Sequence, residues 1–184
     1  RKKTSTTTEL LNSAVAYDKD LIQYCPEGLS DARRDGYGLG FKGEAVFAGG
    51  YSKASETRRL LIESYDSSLT RKTLTDFSYE KEHASGYYPT ATENYMVFPQ
   101  YENSEAGAEI YDSSFTKLDS LVLGYPKRTK VSAASVDGYI IFGGGANSTG
   151  ASLYADCKVY DKSLTLLSMG CALSIGRAPM GTAS

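Results

Sequence analysis

The chain has 184 residues, 41% of them apolar, and a formal charge of −2, which fits one folded domain or a segment of a larger one and argues against disorder. The short basic tract Lys127 to Lys130 leaves no nucleic-acid footprint, and no apolar run approaches the roughly 18 to 20 residues of a membrane helix. A single His, no Trp and three Cys without metal spacing leave little acid–base or metal hardware, whereas 15 Tyr and 18 Gly describe a β-rich chain with many turns.

In chain order, residues 4 to about 31 read as the outer half of a repeat: a strand near Ala14–Tyr17, a turn at Asp18, and a strand near Leu21–Tyr24. Leu29-Ser30-Asp31-Ala32-Arg33 follows, then the small-residue run Gly36 to Gly40, which is expected to be a strand crowded against an axis. An apolar strand ends in Val46-Phe47-Ala48-Gly49-Gly50, the loop 51–59 varies, and a further strand ends in Tyr65-Asp66. The Asp is expected to accept hydrogen bonds from backbone N–H groups ahead of it in an Asx-type turn, after which Leu69 re-enters the sheet.

The same unit recurs with Val97-Phe98-Pro99-Gln100 in place of the diglycine, the loop 101–106, and Tyr111-Asp112-Ser113-Ser114-Phe115-Thr116. Its arginine is missing, the count landing near His83. The third unit is complete: Arg128, Ser132-Ala133-Ala134-Ser135, Ile141-Phe142-Gly143-Gly144-Gly145, the loop 146–154, and Val159-Tyr160-Asp161-Lys162-Ser163-Leu164-Thr165. Leu173-Ser174-Ile175-Gly176-Arg177 and the run 181–184 open another. The tyrosines at 17, 65, 111 and 160 are 48, 46 and 49 residues apart.

Helical periodicity is absent, and four short strands per repeat of this length is one propeller blade. The expected fold is an all-β propeller of four-stranded antiparallel blades, with about four repeats and three of them complete. The blades span 4–31 (outer half), 32–80, 81–126, 127–173 and 174–184 (inner strand only). Most propellers close with roughly four to eight blades, so a longer parent is expected.

The diglycines Gly49-Gly50 and Gly144-Gly145, the downstream Tyr65 and Tyr160, and the arginine ahead of the first strand in the repeats that keep it resemble the kelch family. The Tyr-Asp-x-Ser-Leu-Thr pattern is most similar to the short kelch-like repeats of bacterial and phage proteins. The kelch Trp of the fourth strand is replaced by aliphatics such as Leu74, Leu121 and Leu166. The resemblance implies that Arg33, Arg128 and Arg177 line the mouth of a central cup and bind acidic groups, for which convergent guanidinium groups are well suited. The alternative is that these arginines only bridge neighbouring blades. Tyr51, Tyr101 and Tyr154, in or beside the variable loops, are further candidates for ligand contact.

Catalysis finds no support in the residue inventory. A galactose-oxidase-like copper site needs two His, sialidase Asp boxes end in Trp, and His83 offers no Ser-His-Asp set. Cys157 aligns with Ile62 and Ala108 and is expected to be a buried free thiol. The functional expectation is a non-enzymatic scaffold that presents variable loops to a protein or surface glycan, with no cofactor, no nucleic acid and no membrane insertion. The alternatives are an assembly module of an envelope or phage particle, or the propeller domain of an enzyme whose catalytic residues lie outside this chain. An extracellular, cell-surface or virion-associated location is what the resemblance implies.

Overall fold

The computed structural model describes residues 12–52, 57–58, 61–76, 88–102, 105–118, 121–126, 128–147 and 149–177. Its organising element is the turn after each repeat tyrosine. Asp66 Oδ1 accepts from the backbone N–H groups of Ser68 (2.9 Å) and Thr70 (3.1 Å), Asp112 Oδ1 from Ser114 (2.8 Å) and Thr116 (2.9 Å), and Asp161 Oδ1 from Ser163 (2.8 Å) and Thr165 (2.9 Å). Asp18 does the same for Asp20 and Ile22 at 2.9 Å each.

The turns differ from the expected hairpin in one respect. Leu69, Phe115 and Leu164 do not re-enter the sheet; they hold φ of 60°, 59° and 61°. This left-handed conformation lets Phe115 and Leu164 pack into apolar clusters between sheets. Phe115 meets Phe41 edge-on at 5.8 Å.

The described residues are all-β, with nineteen strands and no helix. Three four-stranded antiparallel sheets dominate, each pairing its strands in chain order. The first comprises Tyr37–Phe41, Glu44–Ala48, Leu61–Tyr65 and Arg71–Asp76. The second comprises Thr90–Ala91, Met96–Glu102, Glu105–Tyr111 and Leu121–Pro126. The third comprises Ser132–Val136, Tyr139–Gly143, Asp156–Tyr160 and Leu166–Ala172. A separate hairpin pairs Ala16–Tyr17 with Gln23–Tyr24.

Register is the same in all three sheets. Phe47 faces Glu63, Phe98 faces Glu109 and Phe142 faces Lys158 across the second and third strands. Each Phe also meets its own repeat tyrosine edge-on: Phe47–Tyr65 at 5.8 Å, Phe98–Tyr111 at 5.8 Å and Phe142–Tyr160 at 5.6 Å. Such aromatic pairs add about 0.5–1.5 kcal/mol each beyond area burial.

The sheets stack face to face. Tyr37, Phe41, Val46 and Ile62 of the first pack on Met96, Phe98 and Tyr111 of the second. On its other face the second sheet sends Val97, Ala108 and Leu123 against Ala133, Ile140 and Phe142 of the third. The short strand Thr90–Ala91 lies beside the first strands of both neighbours.

Small residues have different reasons at different places. Gly145 holds φ of 101°, and a Cβ there would lie 2.7 Å from the Thr129 carbonyl oxygen. Gly50 repeats this, at φ of 106° and 2.8 Å from the Arg34 oxygen. Each diglycine therefore lets the arginine-bearing segment pair with the residues beyond it, as Arg33–Arg34 with Tyr51–Ser52 and Arg128–Thr129 with Ala146–Asn147. The crowding expected of the first strands fails at Gly40, where a Cβ would meet nothing within 4 Å.

Cys157 is not a free thiol. It faces Cys171 across the third and fourth strands, and the two form a disulfide with Cα atoms 5.1 Å apart. Spacing alone hid the pair, because the register that brings these residues opposite depends on bulges in the same strands. Cys25 is free and exposed.

Candidate functional site

In a four-stranded meander, the residues before the first strand and the loop between the second and third share one end. At that end the structure ties down two of the three expected arginines. Arg33 donates from Nη2 to Glu63 Oε2 at 2.6 Å and from Nη1 to the Leu61 carbonyl at 3.4 Å. Both members of this ion pair have buried side chains. The other Glu63 oxygen accepts from the Ser30 backbone N–H at 3.0 Å and from Arg71 at 3.2 Å, and Arg71 reaches on to Glu27 at 2.7 Å.

Arg128 is held as well. Its Nη2 meets both carboxylate oxygens of Asp156, at 2.8 and 3.0 Å, and Nη1 donates to the Gly144 carbonyl at 3.4 Å. The guanidinium lies between the rings of Tyr125 and Tyr154, at 3.9 and 4.0 Å from their centroids. Burial pushes the Tyr125 phenol well above its ordinary value; the negative charge of Asp156 adds to this and Arg128 opposes it.

Arg177 differs. It is exposed, and among the described residues its side chain bonds only Ser174 Oγ and the Ile175 carbonyl, both at 3.3 Å. Its backbone docks onto the third sheet, donating to the Tyr154 carbonyl and accepting from the Gly145 N–H. Tyr51 is half-buried with Arg34 over its ring at 5.2 Å. Tyr101 belongs to the strand Met96–Glu102 instead of a loop, and its side chain and His83 lie outside the described residues.

Two features escaped the sequence reading. Lys158 is buried, donates to the Leu123 carbonyl of the neighbouring sheet, and lies 4.8 Å from the Tyr125 ring centroid. Burial lowers its pKa, Arg128 lowers it further, and Asp156 opposes. The signal was present, since Lys158 stands where the other repeats carry Glu63 and Glu109, two residues before the tyrosine.

The second feature is a groove of about 540 Å³ at the opposite end, between the first turns of the second and third sheets. That volume lies within the roughly 300–1,000 Å³ of small-ligand sites. Glu93, Asn94, Asp137 and Lys162 bring polar groups to its walls, and Tyr95 adds a ring anchored in the core below. Thr92 Oγ1 shapes one wall by accepting from the N–H groups of Asn94 (3.2 Å) and Tyr95 (3.0 Å). Lys162 lies across Gly138, where a Cβ would come within 2.7 Å of its Cε. A mixed lining of this kind offers hydrogen bonds and one aromatic face. Among the described residues no group of three or more His, Cys, Asp or Glu is placed to hold a metal ion, and no helix is long and apolar enough to cross a membrane.

No family model matches the chain, and no curated protein matches it. Among solved structures, that of YjhT is similar, with a TM-score of 0.62 at 10% sequence identity, over 92% of this chain and 69% of that one. At such identity the likeness carries the fold alone.

Proposed function

We propose that the chain is a kelch-like β-propeller, its three sheets serving as blades, and that it acts as a non-enzymatic scaffold for a protein or surface-glycan partner. The blade reading is supported by the repeated register and by first strands that gather beside Thr90–Ala91. The observation that carries the binding reading is the groove between Tyr95 and Lys162, because its polar groups converge on open space. Arg33 and Arg128 are better read as the frame of the opposite end, since their guanidinium groups are buried and paired with Glu63 and Asp156. Arg177 remains the arginine open to an acidic partner. An extracytoplasmic setting belongs to the same proposal, supported by the Cys157–Cys171 disulfide.

The test is titration with a panel of soluble oligosaccharides and peptides, read by calorimetry. Asp137→Asn is expected to weaken binding at least tenfold without lowering the melting temperature, and Tyr95→Ala to weaken it as much while also losing the core contact of the ring. Unchanged binding in both, with a loss in Arg177→Ala, would move the site to the other end. A second reading, an assembly module, is favoured by apolar side chains exposed on the first hairpin and the third sheet, Leu21 and Val136 among them.

A further inference from the structure

The two junctions between stacked sheets use equivalent positions but fill them differently. In the first, Phe41, six residues before Phe47, meets Phe115 edge-on and is buried. The register puts Thr92 at the same place in the second sheet, six residues before Phe98 and paired through its N–H with the Tyr95 carbonyl. Leu164, third after its turn aspartate, stands where the first junction has Phe115. Two rings thus give way to a short hydroxyl side chain and an aliphatic one. The groove of about 540 Å³ opens beside Thr92, where the first junction is plugged by the Phe41 ring.

The opening is lined by charge. Glu93 and Asp137 come from the first turns of the second and third sheets, and Lys162 from the turn after Tyr160. All three are exposed, and among the described residues none of them enters an ion pair. Two carboxylates and one ammonium sum to a formal charge of −1. Tyr95 adds an aromatic ring to the same lining.

Elsewhere the chain shows what a ring and a carboxylate together hold. The Arg128 guanidinium pairs with Asp156 while lying 3.9 and 4.0 Å from the ring centroids of Tyr125 and Tyr154. A planar cation can stack by its face and bond a carboxylate by its edge, which a compact ammonium cannot do. A neutral sugar could stack too, but it would draw nothing from the two negative charges.

We propose that the groove takes an arginine side chain of a peptide partner, with the guanidinium on the Tyr95 ring and its N–H groups directed to Glu93 and Asp137. The assignment rests on the groove being the binding site and narrows its occupant to one chemistry. Lys162 then opposes the ligand by like charge.

The experiment is an NMR titration with a blocked Gly-Ser-Arg-Ser-Gly peptide, the Tyr95 ring signals reporting on the groove. The control is the same peptide with citrulline, which keeps the planar end group and loses the charge. The arginine peptide is expected to bind at least tenfold more tightly than the control. Glu93→Gln and Asp137→Asn should each weaken it several-fold, and Lys162→Met, which keeps the stem over Gly138, should tighten it. Equal binding of the two peptides, or weaker arginine binding in Lys162→Met, would overturn the proposal. A soluble oligosaccharide that shifts the Tyr95 ring where the arginine peptide does not would overturn it too, leaving the binding reading intact. Ring signals unmoved by peptides and oligosaccharides alike would end both.

Discussion

Leu69, Phe115 and Leu164 occupy a backbone region that costs a residue with a side chain about 1–2 kcal/mol. The neighbouring aspartate holds them there by two backbone hydrogen bonds, and for Phe115 and Leu164 the buried contact offsets the strain. Removing both bonds with Asp112→Ala should cost about 1–2 kcal/mol in urea unfolding. Asp66 shows the electrostatic side. Its carboxyl is held below the ordinary value chiefly by the Thr70 N–H, and further by Ser68 and Lys72, against desolvation. A depressed folded pKa means that this stabilisation is complete above the unfolded value and is lost as pH falls through the folded one. Asp66→Asn should therefore flatten the acid limb of the stability profile; an unchanged limb would show that the carboxylate contributes nothing there.

At the scale of an element, diglycine and arginine form one device. The two repeats that keep Gly49-Gly50 and Gly144-Gly145 also keep Arg33 and Arg128, while the middle one has Pro99-Gln100 and runs Met96–Glu102 straight into the hairpin. The glycines bend the chain so that the arginine segment can pair beside them, and the arginine then bonds a carbonyl and a carboxylate of its own sheet. Gly145→Ala, strained in φ and blocked by the Thr129 carbonyl, should cost about 2–3 kcal/mol. Gly40→Ala, with open space around it, should instead stabilise by about 0.4–1 kcal/mol by restricting the unfolded chain. Thermal unfolding of the two variants checks both, and a destabilised Gly40→Ala would restore the idea of a crowded axis.

For the whole molecule, the junction of the second and third sheets combines apolar packing with two buried cations, Arg128 and Lys158. Lys158 crosses that junction to the Leu123 carbonyl, with its pKa lowered mainly by burial. Between its folded pKa and the ordinary 10.5 the unfolded chain binds the extra proton, so stability rises with pH in that window. Tyr65, Tyr125 and Tyr160, all raised chiefly by burial, reverse the trend once the unfolded tyrosines ionise near 10.0. Urea unfolding at stepped alkaline pH should show a rise approaching pH 10, and Lys158→Met should flatten it. A rise that persists in the variant would mean that another group carries it.

The repeat spacing, the turn aspartates and the position of each Phe were legible in the residues alone, because turn chemistry and strand alternation act over a few neighbours. Glu63 beneath Arg33, the Cys157–Cys171 pair and the Tyr95–Lys162 groove were not. Each needs residues from separate strands or sheets to meet, and that meeting depends on register and stacking. The sequence by itself determined an all-β chain of similar antiparallel units and where each one turns. Only the tertiary structure decided which charged side chains are consumed by the frame and which face solvent, since burial is a property of neighbours that local pattern does not name.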